Sequence, residues 1–174
     1  MIHDALIRPA QRRDSEAIGR IYVESWRAAY RHILPRGYLD GLRAARVARS
    51  MRQTLLNPQI RYLIAERQRS VVGYIASGPR RGRDSLYQAE LYELYLLPQF
   101  QRQGVGRQLL SDLARRLYDA RVYTLMVWVL ARNPNRRFYE KCNGLYLDSK
   151  TIFFAGRNLQ ADAYGWLDIT LAIT

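Results

Sequence analysis

Apolar positions recur along the chain with two different periods, and each change of period marks a boundary between predicted elements. Between positions 15 and 30, apolar residues such as Ile18, Ile21 and Trp26 follow helical spacing, with charged residues between them. Shorter apolar runs predict strands, and proline or glycine interrupts them. The predicted strands are 5–9, 60–66, 71–77, 85–97, 122–130, 145–154 and 164–173, and the predicted helices are 15–30, 39–55, 105–120 and 134–143.

The most informative stretch runs from 90 to 110. Residues 91–97 are apolar or aromatic, as in a buried strand, and Pro98 ends the run because proline donates no hydrogen bond to a sheet. A helical apolar period follows. In the connection, Gly104 and Gly106 permit a tight turn and a close approach between backbone and ligand. The free N–H groups of the helix start would attract an anion. Two basic residues, Arg102 and Arg107, flank this cradle.

Two common phosphate-binding motifs do not fit this loop. The dinucleotide fingerprint requires a third glycine, where Leu109 stands, and an acidic residue near 123–127, where there is none. A nucleoside triphosphate loop requires a Gly-Lys-Ser/Thr run, which the sequence lacks. On its own, the glycine pair is equally compatible with a plain strand-to-helix turn.

Composition narrows the class of protein. With 174 residues, we expect one domain, 1–174, with a real core. No apolar run approaches the roughly 20 residues of a membrane span, and the first residues lack the pattern of a signal peptide. Cys142 is the only cysteine, so no internal disulfide can form. We therefore expect a cytoplasmic protein with no membrane partner and no metal site.

The net charge of +13 is carried almost entirely by arginine, since Lys141 and Lys150 are the only lysines. One interpretation is a polyanionic partner such as nucleic acid. The other is a solvated, arginine-rich surface, which we favour because the arginines are scattered from Arg8 to Arg157. A highly charged coenzyme would also use part of this field.

Two motifs in sequence resemble those of the GCN5-related N-acetyltransferase (GNAT) family. The first is Gln101-x-x-Gly104-x-Gly106 after a strand and a proline, and the second is the segment from Asn133 to Lys141. The resemblance implies an α/β fold with a mixed, mostly antiparallel central sheet and about four flanking helices. In that fold two central strands splay apart, here those ending at Leu97 and beginning at Val122. Asn143 before Gly144 and Leu145 after it depart from the family pattern.

The resemblance also implies an activity, the transfer of an acetyl group from acetyl-CoA directly to a primary amine. We expect a small-molecule amine, with protein N-termini or lysines as the alternative acceptors, and a homodimer through the C-terminal strands. A basic nucleic-acid-binding module and an acyl-CoA-binding protein without catalysis are alternatives from other classes. The implied coenzyme ligands are the backbone of Leu94, Tyr95 and Leu96, the loop residues Gln101, Arg102, Gln103, Gly104, Val105 and Gly106, and Asn133, which could equally be a plain helix cap.

Catalytic roles follow from the same resemblance. Tyr139 would donate a proton to the departing thiolate, unless it is only a core aromatic residue. A base is needed because alkyl amines are protonated at neutral pH, and Glu90 and Glu93 are the candidates, although either could be an ordinary paired carboxylate. We rank Glu90 first. Strand alternation predicts that the two point to opposite faces of the sheet.

The acceptor side is the least constrained part of the sequence. Trp26 and Tyr30 lie four residues apart on one helical face, so they either line an acceptor pocket or pack in the core. A covalent acetyl-cysteine mechanism through Cys142 is disfavoured, because neither His3 nor His32 is close in sequence.

Overall fold

The computed structural model describes residues 5–82 and 86–173, which form seven strands and five α-helices. The strands are β1 (Leu6–Pro9), β2 (Arg61–Arg67), β3 (Ser70–Pro79), β4 (Ala89–Leu96), β5 (Leu125–Leu130), β6 (Leu145–Phe154) and β7 (Arg157–Trp166). The helices are α1 (Ser15–Tyr30), α2 (Arg36–Gly41), α3 (Ala44–Thr54), α4 (Val105–Asp119) and α5 (Arg137–Lys141). No helix in these described ranges has both the length and the apolar character needed to cross a membrane.

All seven strands belong to one sheet in the order β1-β2-β3-β4-β5-β7-β6. The β4–β5 pair is parallel and the other five neighbouring pairs are antiparallel, which confirms the predicted mixed, mostly antiparallel sheet. A parallel pair needs a crossover, and α4 provides it, since it lies between β4 and β5 in sequence.

The two central strands part after a short contact. Only Ala89, Glu90 and Leu91 of β4 pair with β5, opposite 125–127. Beyond this point the rest of β4 pairs with β3, and the rest of β5 pairs with β7. The sheet therefore opens a wedge between residues 92–96 and 128–130, as predicted for the splayed strands.

Helices cover both faces of the sheet because each carries one apolar stripe. On one face α4 buries Leu109, Leu110 and Leu113 against β3, β4 and β5. On the other face α1 and α3 bury Ile18, Ile21 and Met51 against β2 and β3. These two cores hold the strands on either side of the wedge in place.

Three predicted boundaries are wrong. The single helix 39–55 is two helices, because Leu42 and Arg43 are extended with ψ of 131° and 118°. The helix expected from 134 begins at Arg137, after turns at 134–136. The strand 164–173 is instead β7, which begins at Arg157 after a two-residue turn and ends at Trp166, followed by a 3-10 turn at Ile169–Ala172. The predicted start of the central strand, Ser85, lies outside the described residues.

Candidate functional site

Two cavities meet at the parting of β4 and β5. The larger has a volume of about 710 Å³ and the smaller about 220 Å³. The walls of both include the same four residues, Leu94, Tyr95, Asn133 and Tyr139. The wedge in the sheet is therefore the junction through which a group bound in one cavity can reach a group bound in the other.

The start of α4 shapes the larger cavity. Gly104 is the N-cap residue and has a left-handed backbone, with φ of 83°, which glycine adopts without strain. A Cβ added at Gly106 would lie 3.4 Å from both Leu96 and Phe138, so glycine keeps this wall open. The first N–H groups of α4 have no acceptor within the helix and carry partial positive charge.

Basic side chains strengthen this positive field. They are Arg102, Arg107, Arg137 and Lys141, and none of the described residues lining the larger cavity is acidic. Arg107 also donates to the carbonyl of Lys141 at 2.8 Å, which fixes the start of α4 against the end of α5. The larger cavity therefore suits a ligand with several negative charges.

The exposed edge of β4 offers backbone hydrogen-bonding groups to the larger cavity. The N–H of Leu97 donates to the carbonyl of Val72 on β3 at 2.9 Å. Because an antiparallel ladder bonds alternate residues, the backbone groups of Tyr95 also face β3, whereas those of Leu94 and Leu96 face the wedge. The Leu96 carbonyl accepts from Ser25 Oγ at 2.9 Å and from Gln101 Nε2 at 3.2 Å.

Asn133 lies between the two cavities. Its Oδ1 accepts from the N–H of Asn135 at 2.9 Å, and its Nδ2 donates to the hydroxyl of Tyr30 at 3.2 Å. The side chain thus stabilises the turn before α5 and joins that turn to α1.

Two of the predicted coenzyme ligands lie off the cavity wall: Val105 is fully buried, and the Gln103 side chain bonds to Arg67 and to the carbonyl of Gln99.

The smaller cavity is walled mainly by aromatic rings. Trp26 is central to them, with ring centroids 4.9 Å from Tyr30, 5.9 Å from Phe154 and 6.4 Å from Tyr95. Tyr92 and Trp128 also contribute. The predicted acceptor-side pair, Trp26 and Tyr30, therefore lines one cavity together with Glu93.

The two glutamates do not point to opposite faces of the sheet, so that prediction is wrong. The register of β3 and β4 shifts at a bulge: Ala76 is opposite Glu93, but Ser77 is opposite Leu91, which leaves Tyr92 as an extra residue. Glu90 is opposite Gly78. Since positions 76 and 78 of β3 share a face, the bulge places Glu90 and Glu93 on the same face.

The surroundings of the two carboxylates differ. Glu90 is 2% exposed, accepts from the guanidinium of Arg81 at 2.5 Å and from its backbone N–H at 3.0 Å, and lines neither cavity. Glu93 lines the smaller cavity and accepts from the hydroxyl of Tyr74 at 2.6 Å. Burial raises the pKa of Glu93, and the Tyr74 hydrogen bond and the charge of Arg81 offset only part of this rise.

Tyr139 stands at the junction on α5, and burial raises the pKa of its phenol, with smaller contributions from Tyr30 and Cys142. The phenol therefore keeps its proton at neutral pH and is available as a donor.

Burial also raises the pKa of the Cys142 thiol, although Arg107 opposes the shift, so the thiol is a poor nucleophile. Within 5–82 and 86–173, no group of three or more His, Cys, Asp or Glu side chains could hold a metal ion.

Several lining residues were not identified from the sequence. Ser25 had a signal, since it is a polar residue within the apolar stripe of α1. Phe154 had none, because its role depends on β6 returning beside α1. The bulge at Tyr92 also gave no signal, as the run 91–97 contains neither glycine nor proline.

Comparisons with known proteins agree with one another. The model of the Acetyltransferase (GNAT) family matches residues 17–145. A relative from Bacillus subtilis (strain 168), described as the uncharacterized N-acetyltransferase YuaI, is 31% identical over 164 residues, which cover 94% of this chain and 94% of that protein.

Two solved structures share the fold. The paiA N-acetyltransferase from Thermoplasma acidophilum, in complex with coenzyme A, has a TM-score of 0.68 and 19% identity over 92% of this chain and 98% of that one. The structure of yncA from Salmonella typhimurium, with its cofactor acetyl-CoA, has a TM-score of 0.68 and 24% identity over 95% of each chain.

Proposed function

Because the chain belongs to the GNAT family of acetyltransferases, we propose that it transfers an acetyl group from acetyl-CoA directly to a primary amine of a small molecule. One observation carries the proposal: a basic cavity and an aromatic, carboxylate-containing cavity share Tyr139 and the free edge of β4. The first fits a polyanionic coenzyme and the second fits an amine. The two solved structures that hold coenzyme A or acetyl-CoA support this choice of coenzyme.

The residues of the larger cavity fit acetyl-CoA. The N–H groups of Gly104, Gly106 and Arg107 and the side chains of Arg102 and Arg137 would bind its phosphates. The backbone of Leu94 and the N–H of Leu96 would pair with the amides of its pantetheine arm as a neighbouring strand would, and Asn133 would contact the same arm. The Leu96 carbonyl already accepts from Ser25 and Gln101. When bound, acetyl-CoA supplies the thioester whose acetyl group is transferred.

On the amine side, we propose Glu93 as the base, ahead of Glu90. An alkyl amine has a pKa of about 10.4, so forming the neutral nucleophile at pH 7 costs about 4–5 kcal/mol. Glu93 faces the smaller cavity, and its raised pKa brings its basicity closer to that of the amine. Glu90 has a structural role instead, since its carboxylate is occupied by Arg81.

On the leaving-group side, we propose that Tyr139 donates its proton to the sulfur of coenzyme A. It touches both cavities and is protonated at neutral pH. An ordinary phenol, with a pKa of about 10, is a weaker acid than a thiol, with a pKa of about 8.5, and burial of Tyr139 widens this difference. The proposal therefore requires the phenol to hydrogen-bond the developing thiolate in the transition state, where the proton is transferred.

The experiment is an acyl-transfer screen with release of free coenzyme A as the readout. A thiol reagent is suitable, since the chain's single cysteine, Cys142, is buried. We expect acetyl-CoA to bind in a calorimetric titration and at least one small primary amine to release coenzyme A above the no-amine control. Binding without turnover across amines and peptides would favour a non-catalytic acyl-CoA-binding protein.

We also propose a homodimer through β6, the strand at one edge of the sheet. The first residues of this strand, Leu145 and Tyr146, are exposed apolar side chains. Light scattering would give about twice the mass of 20.4 kDa if the proposal holds, and the monomer mass if it does not.

A further inference from the structure

The smaller cavity has an unusual combination of charge and surface. Among the described residues that line it, Glu93 alone carries a formal charge. The other polar groups are phenols, two indoles and the amide of Asn133, and the remaining wall is aliphatic or aromatic. An amine that enters this cavity therefore meets one carboxylate and several rings.

This chemistry suits a single ammonium group. Glu93 can pair with one cation, and the electron-rich faces of the rings favour a cation as well. A second ammonium buried here would have no counter-ion, and burying an unpaired charge is costly. Long polyamines would have to place a second or third charge along this wall or in the adjoining cavity, whose charged wall residues are all basic.

Positive charges around the smaller cavity also disfavour acceptors with more than one ammonium group. The ammonium of Lys150 lies 3.7 Å from the ring centroid of Trp128, so a positive charge covers one of the lining rings. The chain as a whole has a net charge of +13. Both features repel polycations and have a smaller effect on a molecule with one charge.

The size and shape of the wall favour one compact ring. With a volume of about 220 Å³, the cavity is below the usual range of about 300–1,000 Å³ for drug-sized ligands. The rings of Trp26, Tyr95 and Phe154 lie at different orientations, with interplanar angles of 57° between Trp26 and Tyr95 and 53° between Trp26 and Phe154. A further ring among them could make both edge and face contacts.

We propose that the acceptor of this enzyme is a primary amine that carries one compact aromatic group and no second charge, with Trp26, Tyr95 and Phe154 as the residues that select it. This inference rests on the proposed function, since it names the acceptor of the same site. The ammonium group pairs with Glu93, and the ring occupies the aromatic part of the cavity.

A panel of three amines tests the class of acceptor. The probes are 2-phenylethylamine, ethylamine and spermidine, each at saturating acetyl-CoA, with coenzyme A release as the readout. We expect kcat/KM for 2-phenylethylamine to exceed that for ethylamine and that for spermidine at least tenfold. Equal or better use of spermidine, or no effect of the ring, would overturn the inference while leaving acetyl transfer intact. Absence of coenzyme A release with all three amines would overturn the inference, whereas the proposed function fails only if the wider acyl-transfer screen gives no release either.

A pair of neighbouring phenylalanines on β6 tests the assigned residues. Phe154 lines the cavity, whereas Phe153 is 75% exposed and serves as the control. We expect Phe154→Ala to raise KM for 2-phenylethylamine at least tenfold and to leave KM for acetyl-CoA within twofold, and Phe153→Ala to change neither. Phe154→Leu keeps an apolar side chain if the alanine variant does not fold, and we expect at least a threefold rise. An unchanged KM in a folded Phe154 variant would contradict the assignment.

Discussion

Glu93→Gln separates the two carboxylates of β4, because it removes the basic group from the smaller cavity and keeps the size of the side chain. Glu90→Gln is the matched control. It makes the same chemical change on the same strand and the same face, at a carboxylate that lines neither cavity. Because the chemical change is the same in both variants, a difference between their rates reports the position of the carboxylate.

The expected size of the effect follows from the task of the base. At pH 7 the neutral form of an alkyl amine costs about 4–5 kcal/mol, and a positioned general base typically contributes about 10²–10⁴-fold in rate. Glutamine cannot accept a proton. We therefore expect Glu93→Gln to lower kcat/KM for the amine by about 10²–10⁴-fold at pH 7. We expect acetyl-CoA affinity to change less than twofold, since Glu93 lies outside the larger cavity.

The dependence on pH gives a second, independent readout. In the proposed mechanism catalysis requires the ionised form of Glu93, so we expect kcat/KM to rise as the pH passes the pKa of this carboxyl. Burial raises that pKa above its ordinary value of 4.5, which moves the rise toward neutral pH. The pH profile of Glu93→Gln should lose this rise, called the acidic limb, and its kcat/KM should increase only as the free amine loses its proton. Glu90→Gln should keep the acidic limb.

Initial rates of coenzyme A release between pH 5 and pH 10 provide the assay, and circular dichroism confirms that both variants are folded. Glu90→Gln removes the charge partner of Arg81, so its effect should appear in stability and not in the pH profile. The reasoning is refuted if Glu90→Gln loses the limb while Glu93→Gln retains it together with normal turnover.

Three further changes test other parts of the site and its frame. Tyr139→Phe should lower kcat by about 10²–10³-fold with little change in the Kd of acetyl-CoA, and a normal kcat would remove Tyr139 from the mechanism. Gly106→Val should raise the Kd of acetyl-CoA at least tenfold by calorimetry because it fills the cavity wall, whereas Gly37→Ala, at an exposed glycine with open space around it, should not. Asp14→Asn should lower the free energy of unfolding in urea by about 3 kcal/mol at pH 7, because it breaks a paired carboxylate that is 5% exposed. Burial alone would raise the pKa of Asp14, but hydrogen bonds from Arg8 and the Gln11 backbone lower it below the ordinary 3.8. The difference in stability should therefore be complete well above pH 3.8, shrink below pH 3.8 and vanish only below the lower pKa of the folded state. No difference at pH 7 would contradict the role.

The sequence predicted the order of the strands and the strand-loop-helix connection between β4 and α4 because those features depend on local patterns. Pro98, Gly104 and the apolar stripe of α4 act over a few residues, and the structure places them as expected. Asn143 is another local success. Its backbone is left-handed, with φ of 60°, two residues after α5 ends at Lys141, and β6 begins at Leu145 as predicted.

The errors arose where distant parts of the chain decide the geometry. The bulge at Tyr92 depends on pairing with β3, where the Tyr92 ring packs over Gly78. The β2–β3 turn uses Gln68 and Arg69 in left-handed conformations, with φ of 47° and 62°, where glycine or asparagine would have been the expected signal. Strand pairing therefore overrode local preference at the bulge, which decides how Glu90 and Glu93 are placed relative to each other.

The most direct test of the account is a structure of the chain with acetyl-CoA bound. The account predicts phosphate density at the first turn of α4, the pantetheine arm along Leu94 and Leu96, and the thioester between Tyr139 and the aromatic cavity. A coenzyme bound elsewhere, or a wedge between β4 and β5 closed by the chain's own side chains, would contradict it.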